Sequence, residues 1–393
     1  MQQEMSTILQ EARQGHAVSL ACALIATPSV NPTLEDAGTG EAEIARLVAG
    51  WLEEWGVSVQ ASEVAPGRWN VLGRLGNPST GKTLLLNGHL DTVGVLGMTI
   101  EPFMPVISGG RLWGRGSCDM KGGVAAILSA VARLARERPD CGAVYIALTA
   151  DEEHASLGMQ DALENGLRAD AAVVCEPTSL AIMPAHKGFV WAEASFYGNA
   201  AHGSRSDIGI DAIEHAGQYL ALLSDLRGLL ESRRPHPLLG HGSIHAGTIS
   251  GGSAPSVYPA VCNLVLERRT LPGEDAVSVM NEFQSGLETL RKEVPELNAT
   301  LKETLVRSAT EVEATSPLVE KLTLASKGVL PEVEVQGMTA WVEASFLNEA
   351  GVPAVCFGPG SIGQAHSDDE WVDPQEIEQC ASVLERFTRD FLK

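Results

Sequence analysis

A helix-sized segment, Gly122-Gly-Val-Ala-Ala-Ile-Leu-Ser-Ala-Val-Ala-Arg-Leu-Ala-Arg136, lies between two short apolar runs, Thr83 to Leu86 and Ala143 to Leu148. Apolar runs of this length are typical of strands buried on both faces, which occur mainly in parallel sheets. The order therefore predicts a β-α-β unit. Further strands are expected at Trp69 to Leu75, Ala171 to Val174 and Pro353 to Phe357, and amphipathic helices at Ser6 to Ala26 and Glu41 to Trp55. These segments predict an α/β domain with a mostly parallel mixed sheet flanked by helices.

The stretch from about His186 to Arg307 has a different order of predicted strands and helices. Its predicted elements are a strand (Phe189 to Tyr197), a helix (Asp211 to Leu223), two strands (Ser243 to Ile249 and Val261 to Arg269), a helix (Asp275 to Glu293) and a strand (Ala299 to Leu305). This β-α-β-β-α-β order is the ferredoxin-like unit, which usually folds as an independent domain. We therefore expect a discontinuous first domain, residues 1-185 and 307-393, interrupted by an inserted α+β domain, residues 186-306.

Composition excludes several classes of protein. The 393 residues carry a net charge of −22, and 44% of them are hydrophobic, so the chain is neither disordered nor fibrous. Without a basic surplus to displace counterions, nucleic acid is not an expected partner. The seven cysteines are scattered and never spaced C-x-x-C, which favours a reducing compartment over a disulfide framework. The acidic amino terminus does not resemble a signal peptide, so we expect a cytoplasmic protein that does not associate with a membrane.

Acidic residues and histidines follow four of the predicted strands. Leu84-Leu-Leu-Asn-Gly-His-Leu-Asp91 delivers His89 and Asp91, the segment from Ile146 delivers Asp151, Glu152 and Glu153, Val173-Val-Cys-Glu-Pro177 delivers Glu176, and the segment from Val355 delivers His366. A fifth segment, Gly114-Arg-Gly-Ser-Cys-Asp-Met-Lys-Gly-Gly123, places Asp119 just before a helix. Ligands of open α/β sheets bind beyond the carboxyl ends of strands, so all five segments can converge on one crevice.

Histidines and carboxylates without cysteine form a ligand set suited to Zn²⁺, Co²⁺ or Mn²⁺. Two ions ~3.5–4 Å apart need a shared ligand, and Asp119 is the natural candidate for a bridging carboxylate. Asp91 lies two residues after His89, so it can orient the imidazole if the strand continues. One of the adjacent Glu152 and Glu153 is then expected to be a general base and the other a ligand.

These segments resemble the co-catalytic zinc aminoacylase and peptidase family that includes acetylornithine deacetylase, succinyl-diaminopimelate desuccinylase, the aminoacylases and glutamate carboxypeptidase. The resemblance covers nearly the whole chain. The matching segments are Gly88-His-Leu-Asp-Thr-Val93, Gly114 to Gly123, Asp151-Glu-Glu153, Cys175-Glu-Pro-Thr178, Ala201-His202, Arg269-Thr-Leu-Pro-Gly273, and Gly358-Pro-Gly360 with His366.

The resemblance implies a role for each matching residue. One metal ion is expected on His89, Asp119 and Glu176, and the other on Asp119, Glu153 and His366. Glu152 matches the general base and Asp91 the carboxylate behind His89, while the peptide bond after Asp119 is expected to be cis. His202 matches the histidine that reaches from the inserted domain, often of the partner subunit, to polarise the scissile carbonyl. Arg269 matches the arginine that binds the substrate carboxylate, a bidentate task suited to guanidinium.

Three positions depart from the family pattern, and we expect all of them at the substrate end of the site. Ser256 stands where the family commonly has Asn, Glu343 where many deacylases have Asp, and the usual Pro after the His202 segment is missing from Ser204-Arg-Ser-Asp207. Because of these departures, the resemblance does not determine the identity of the substrate. Taken alone, His202 reads as a surface or capping histidine, and Arg269, next to Arg268, as part of a solvated strand face.

The sequence therefore predicts a metal-dependent amidohydrolase with two divalent ions, zinc or alternatively cobalt or manganese. Its substrate is expected to be an N-acyl amino acid, cleaved by a water that Glu152 deprotonates. The alternatives are a dipeptidase or carboxypeptidase of the same family, and a non-catalytic binding protein that keeps the fold. Gly358 to Gly363 matches G-x-G-x-x-G but lacks a following strand, which disfavours a dinucleotide site, and the absence of G-x-S-x-G disfavours a serine hydrolase. We also expect a homodimer through the inserted domain, which would serve as the dimerisation and lid domain, because His202 otherwise reaches the metals only by domain closure.

Overall fold

The computed structural model describes residues 2–393, with side chains from Met5 onward. It contains two compact units. Unit 1 comprises the chain up to Pro184, Val312–Gln336 and Val342–Lys393, and unit 2 comprises Ala185–Glu311 and Gly337–Trp341. The sequence prediction does not place Gly337–Trp341 with the inserted domain.

The strands in chain order are β1 (Ser58–Ala65), β2 (Arg68–Gly76), β3 (Thr83–His89), β4 (Val106–Ser108), β5 (Arg111–Trp113), β6 (Ala143–Thr149), β7 (Ala171–Val174), β8 (Ile182–His186), β9 (Gly188–Tyr197), β10 (Ser243–Gly251), β11 (Val261–Thr270), β12 (Asn298–Arg307), β13 (Thr310–Glu311), β14 (Val335–Met338), β15 (Ala354–Cys356) and β16 (Trp371–Val372). The α-helices are α1 (Gln2–Arg13), α2 (Ala17–Ile25), α3 (Ala42–Glu54), α4 (Gly122–Arg136), α5 (Leu157–Glu164), α6 (Ala212–Ser232), α7 (Ala276–Glu293), α8 (Pro317–Lys327), α9 (Ala344–Glu349) and α10 (Pro374–Phe391).

The main sheet of unit 1 has the strand order β1-β2-β6-β3-β7-β15-β8. Its four central strands, β6, β3, β7 and β15, run parallel, while β1, β2 and β8 are antiparallel to their neighbours. Residues 84–86 of β3 and 171–174 of β7 are buried, as continuous apolar runs predict for parallel strands. Helix α4 packs against α2 and α10 and contributes a long buried face to the same core. The predicted mixed sheet flanked by helices is confirmed.

The amino-terminal helical segment differs from the prediction of one helix from Ser6 to Ala26. The structure contains two helices, α1 and α2, because Gly15 adopts a left-handed conformation (φ +81°) and His16 is extended. A side chain at residue 15 would also meet Ala132, since an added Cβ would lie 2.5 Å from the Ala132 Cβ atom. The chain therefore turns between the helices and does not continue one axis.

Unit 2 has the predicted β-α-β-β-α-β order. Its antiparallel sheet follows the order β10-β11-β9-β12, as in ferredoxin-like domains. A separate core is formed with α6 and α7, in which the Tyr219 ring lies 5.6 Å from the Phe196 ring and its hydroxyl donates to the Phe283 carbonyl at 2.9 Å. The fold class is therefore confirmed for both units.

Within residues 2–393, none of the helices combines the length and the apolar character needed to cross a bilayer.

Candidate metal centre

The predicted ligands of unit 1 lie where the central strands end. His89 is the last residue of β3, Asp151 to Glu153 follow β6, and Glu176 follows β7 by two residues. His366 lies in the loop after β15. Because β6, β3, β7 and β15 are parallel neighbours, their carboxyl ends share one edge of the sheet. Asp151 and His366 adopt left-handed backbone conformations (φ 67° and 62°), which are uncommon outside glycine and cluster at functional sites.

Asp119 reaches this edge from a tight turn, Ser117–Lys121, that leads directly into α4. The peptide bond between Asp119 and Met120 is cis, as the family resemblance implies. Met120 is fully buried, and its sulfur lies 3.2 Å from the backbone nitrogen of His89. The turn is thereby packed against the end of β3.

The two carboxylate oxygens of Asp119 face two different histidines. Oδ1 lies 3.1 Å from Nε2 of His89, and Oδ2 lies 3.4 Å from Nε2 of His366. The same His366 nitrogen lies 2.9 Å from Oε2 of Glu153. Candidate ligand atoms of His89, Asp119 and Glu153 all lie within 4.8 Å of one another. This is the arrangement expected of a carboxylate shared between two ion positions.

Electrostatics at this edge favour a cation. Burial, reinforced by repulsion from neighbouring carboxylates, raises the pKa of Glu152, Glu153 and Glu176. Burial alone would also raise the pKa of Asp119, but hydrogen bonds from His366 and His89 outweigh it and lower that pKa. Oε1 of Glu153 is buried and has no hydrogen-bond partner among the described residues. Nitrogen and oxygen donors crowded in this way fit a borderline-hard divalent metal.

Asp91 supports the segment that carries Glu152 and Glu153 and, less directly, the His89 ring. Its carboxylate accepts hydrogen bonds from the backbone N–H groups of Glu152 (3.0 Å) and Glu153 (3.3 Å). His89 Nδ1 lies 2.9 Å from the backbone carbonyl oxygen of Asp91 but 3.7 Å from its carboxylate. The backbone of Asp91 is therefore the closer partner of the imidazole, and its side chain holds the adjacent glutamates.

A buried arginine lies behind Asp91. The Nη2 atom of Arg68 lies 2.6 Å from Glu41, 3.0 Å from Asp151 and 3.5 Å from Asp91. Asn31 completes the cluster: its oxygen accepts from Arg68 at 2.8 Å, and its amide nitrogen donates to Asp91 at 2.8 Å and to Asp151 at 3.0 Å. All five side chains are buried, so this cluster fixes the segment after β6 from inside the protein.

Glu343, which we expected at the substrate end of the site, is buried beside the end of β6. It is only 1% exposed, and its Oε2 accepts a hydrogen bond from the Thr149 hydroxyl at 2.8 Å, at the end of β6. Burial raises the pKa of Glu343 to about 8. The negative charge of Glu343 also contributes to the raised pKa of Glu152 and of Glu176. A change at this position therefore bears on the candidate metal centre.

His202 and Arg269 lie in unit 2. His202 is exposed, and its Nδ1 lies 2.8 Å from the Ser204 hydroxyl. The Arg269 guanidinium lies 5.4 Å from the centre of the Phe189 ring and donates to the Thr339 carbonyl at 2.6 Å. Burial lowers the pKa of Arg269, so its charge is only partly hydrated.

Sequence reasoning did not single out the supporting residues Asn31, Glu41 and Arg68, nor Glu370, whose buried carboxylate accepts a hydrogen bond from the Asp119 N–H at 3.0 Å. Asn31 belongs to the Pro28-Ser-Val-Asn-Pro32 loop, where the resemblance begins, and Glu370 follows His366 by four residues, so position alone could have marked them. Arg68 and Glu41 carry no comparable signal, because a charged residue at the start of a strand or helix usually faces water.

The fold and this cluster of strand-end ligands define a class of two-domain metallohydrolases, and comparison with known proteins gives the family. Residues 85–390 match the model of Peptidase family M20/M25/M40, so the chain belongs to this family and is a hydrolase that acts on amide bonds. It is 32% identical over 375 residues to acetylornithine deacetylase of Proteus mirabilis, covering 94% of this chain and 95% of that protein.

Solved structures agree on the fold. Aminopeptidase PepT from Bacillus cereus matches with a TM-score of 0.81 at 19% identity, covering 97% of this chain and 99% of that one. The Bacillus subtilis YXEP protein, described as a dinuclear metal-binding peptidase of the M20 family, matches with a TM-score of 0.74 at 16% identity, covering 97% and 99%.

Proposed function

We propose that the chain is a metal-dependent amidohydrolase that cleaves the amide bond of an N-acyl amino acid, like acetylornithine deacetylase or succinyl-diaminopimelate desuccinylase. The observation that carries this proposal is the meeting of His89, Asp119, Glu153 and His366 at the end of the sheet, with Glu152 next in sequence to a ligand. The 32% identity to an acetylornithine deacetylase over 94% of the chain supports a deacylase.

Two divalent ions, zinc or alternatively cobalt or manganese, would be held by these side chains. His89, Asp119 and Glu176 would hold one ion, and Asp119, Glu153 and His366 the other. The contact of each Asp119 oxygen with a different histidine supports a role of Asp119 as a shared ligand. When bound, such ions polarise a carbonyl and lower the pKa of water from about 15.7 to about 7.

Glu152 would act as general base and then as general acid. It would take a proton from the attacking water and pass it to the leaving amine. The hydrogen bond from its own backbone N–H to Asp91 at 3.0 Å supports this role, because it holds the main chain of the base in place. Burial raises the pKa of Glu152, which favours a carboxyl group that retains a proton between the two transfers.

Unit 2 would contribute the groups that bind substrate. Arg269 would bind the carboxylate of the amino acid, and His202 would polarise the scissile carbonyl. The partial burial of the Arg269 guanidinium supports its role, since a poorly hydrated cation binds a carboxylate more strongly than an exposed one.

A dipeptidase or carboxypeptidase is the second candidate. The similarity in fold to an aminopeptidase favours it. Against it, Glu176 stands where family peptidases commonly have Asp, which favours deacylation. The same site would serve either reaction, because both break an amide bond next to a carboxylate.

We place the protein in the cytoplasm as a small-molecule enzyme that does not bind nucleic acid or membranes. The seven cysteines are all free, which supports a reducing compartment. The net charge of −22 opposes association with phosphate backbones and anionic lipids.

Release of primary amine from a panel of substrates tests the proposal. The protein, loaded with zinc or cobalt, is assayed against N-acetyl, N-succinyl and N-formyl amino acids and against dipeptides. We expect cleavage of acyl amino acids. Cleavage of dipeptides alone would replace the deacylase by the peptidase, and no cleavage at all with two ions bound would overturn both.

Substitution Glu152→Gln tests the mechanism. The amide keeps the size of the side chain but does not accept the proton, so we expect kcat to fall about 10²–10⁴-fold while both ions remain bound. Metal content by atomic emission and steady-state kinetics are the measurements. Glu164→Gln, at an exposed position of α5, is the matched control and should leave kcat unchanged. Near-normal turnover of Glu152→Gln with full metal content would contradict the proposed role.

A further inference from the structure

Glu370 is a fully buried carboxylate that accepts three hydrogen bonds from the backbone of one short turn. Its Oε2 accepts from the N–H of Gly116 at 2.8 Å, and its Oε1 accepts from the N–H groups of Cys118 (2.8 Å) and Asp119 (3.0 Å). Gly116 and Cys118 lie just before Asp119, the candidate bridging residue. A single carboxylate thus fixes the main chain of Asp119.

Arg115 neutralises this carboxylate. Its Nη1 atom donates to Glu370 Oε2 at 2.9 Å, and both side chains are at most 3% exposed. The same guanidinium donates to the Gly94 carbonyl at 3.0 Å and to the Ser367 carbonyl at 3.2 Å. The ion pair therefore connects the Asp119 turn with the segment that begins at His366.

Main-chain contacts join the same two segments. The N–H of Gly114 donates to the carbonyl of Glu370 at 3.2 Å, so the chain on either side of the ion pair is held as well. Only three residues separate His366 from Glu370. The His366 side chain is itself 52% exposed and gains little from packing. Apart from its contacts with Asp119 and Glu153, the direction of this side chain depends on the anchoring of the short segment.

We propose that Glu370 is a positioning residue that sets the geometry of Asp119 and His366 for the ion they share. It does not reach the ion itself, and it acts by holding the backbone of one ligand and the segment of the other. The inference rests on the proposed ligand set. Partners of this kind behind metal ligands typically contribute about 10–100-fold to metal affinity.

The chemistry requires a carboxylate. A glutamine at this position would turn one oxygen into an N–H donor, which would face either the Arg115 guanidinium and the Gly116 N–H or the N–H groups of Cys118 and Asp119. An aspartate keeps the charge, but its shorter side chain does not span all four donors. We therefore expect the wild type to bind the shared ion most tightly, Glu370→Asp less tightly and Glu370→Gln least tightly.

Titration of the metal-free protein with Co²⁺, followed by calorimetry and visible absorption, tests this order. His366→Ala identifies the binding step that belongs to the shared ion. Asp373→Asn is the matched control, because the Asp373 carboxylate caps α10 through the N–H of Gln375 and, within the described residues, forms no hydrogen bond with the Asp119 turn. Circular dichroism checks folding, and amide exchange of residues 114–121 reports on the turn without metal.

We expect Glu370→Gln to weaken the His366-dependent step about 10–100-fold, to change the Co²⁺ spectrum and to accelerate exchange in the turn, with Glu370→Asp intermediate. The inference would be overturned if Glu370→Asp and Glu370→Gln both bound Co²⁺ with wild-type affinity. It would also be overturned if they weakened both binding steps equally and Asp373→Asn had the same effect. If Glu370→Gln does not fold, Glu370→Asp is judged by the same two criteria. A wild-type chain that binds no divalent ion would instead overturn the proposed function, and this inference with it.

Discussion

Arg68 holds three carboxylates in a space that water does not reach. A guanidinium compensates one negative charge, yet Glu41, Asp91 and Asp151 all lie within 3.5 Å of its Nη2 atom. Burial, with Asp91 next in importance, raises the pKa of Glu41 to about 7. Glu41 therefore takes up a proton more readily than an ordinary glutamate.

The raised pKa of Glu41 predicts that the stability of the protein depends on pH. The folded state binds the Glu41 proton with a pKa of about 7, whereas the ordinary value is 4.5. Between these pH values the folded protein holds a proton that the unfolded chain releases, so the contribution of Glu41 to the free energy of unfolding falls as pH rises, by about 3 kcal/mol in total. Glu41→Gln should remove this part of the slope. Denaturant unfolding of the metal-free protein at pH 5 and pH 7.5 measures it.

Glu43→Gln is the control for this experiment. Glu43 is exposed in the first turn of α3, so its replacement should leave the pH slope of the wild type intact. Parallel pH profiles for the wild type and Glu41→Gln would contradict the prediction.

Helix α4 can lie close to the end of β7 only because its second residue is glycine. A Cβ atom on Gly123 would come within 2.1 Å of the carbonyl oxygen of Cys175, the residue before Glu176. The start of α4 also follows directly from the Asp119 turn. The close approach therefore brings two candidate ligand segments together.

Gly123→Ala should destabilise the protein by about 1–3 kcal/mol, because the helix and the backbone of Cys175 must move apart. It should also weaken metal binding, since Glu176 moves with Cys175. In contrast, a Cβ on Gly217, in the exposed face of α6, would meet nothing within 4 Å, so Gly217→Ala should stabilise by up to about 1 kcal/mol. Equilibrium unfolding and Co²⁺ titration compare the two variants. Equal stabilities would refute this account of the α4–β7 contact.

Element prediction worked best where local pattern and burial agree. Helix α4 has the bounds read from the sequence, and strands β3 and β6 extend the predicted runs by one to three residues to include His89 and Thr149. Polar residues end an apolar run in the sequence, but hydrogen bonding to neighbouring strands continues through them. The ends of strands are therefore decided by their neighbours, and not by the residues alone.

At the level of the whole protein we propose a homodimer through unit 2. Strand β10 is an edge strand of the ferredoxin-like sheet, and eight of its nine residues are exposed. Proteins rarely leave such an edge uncovered. This supports a partner at β10, and a second copy of the chain is the partner expected from the family resemblance.

Light scattering should therefore give a mass of about 83 kDa, twice the 41.6 kDa of the chain. Ile249 on β10 is 55% exposed, so Ile249→Asp should weaken the dimer, whereas Leu96→Asp, at a 93% exposed position of unit 1, should not. A fully active wild-type monomer would defeat the proposal.

Local sequence patterns were enough to predict the α/β class, the ferredoxin-like insertion and the types of ligand residue. The reason is that apolar runs, helical spacing and the residues after each strand are properties of short segments. The arrangement behind the ligands was not predictable in this way. Arg68 meets Asp151 and Glu41, and Glu370 meets Asp119, across long separations in the chain. Buried charges are tolerated only with their partners. Which charges meet is decided when the sheet and its loops come together, so the sequence alone leaves Arg68 and Glu41 looking like ordinary surface charges.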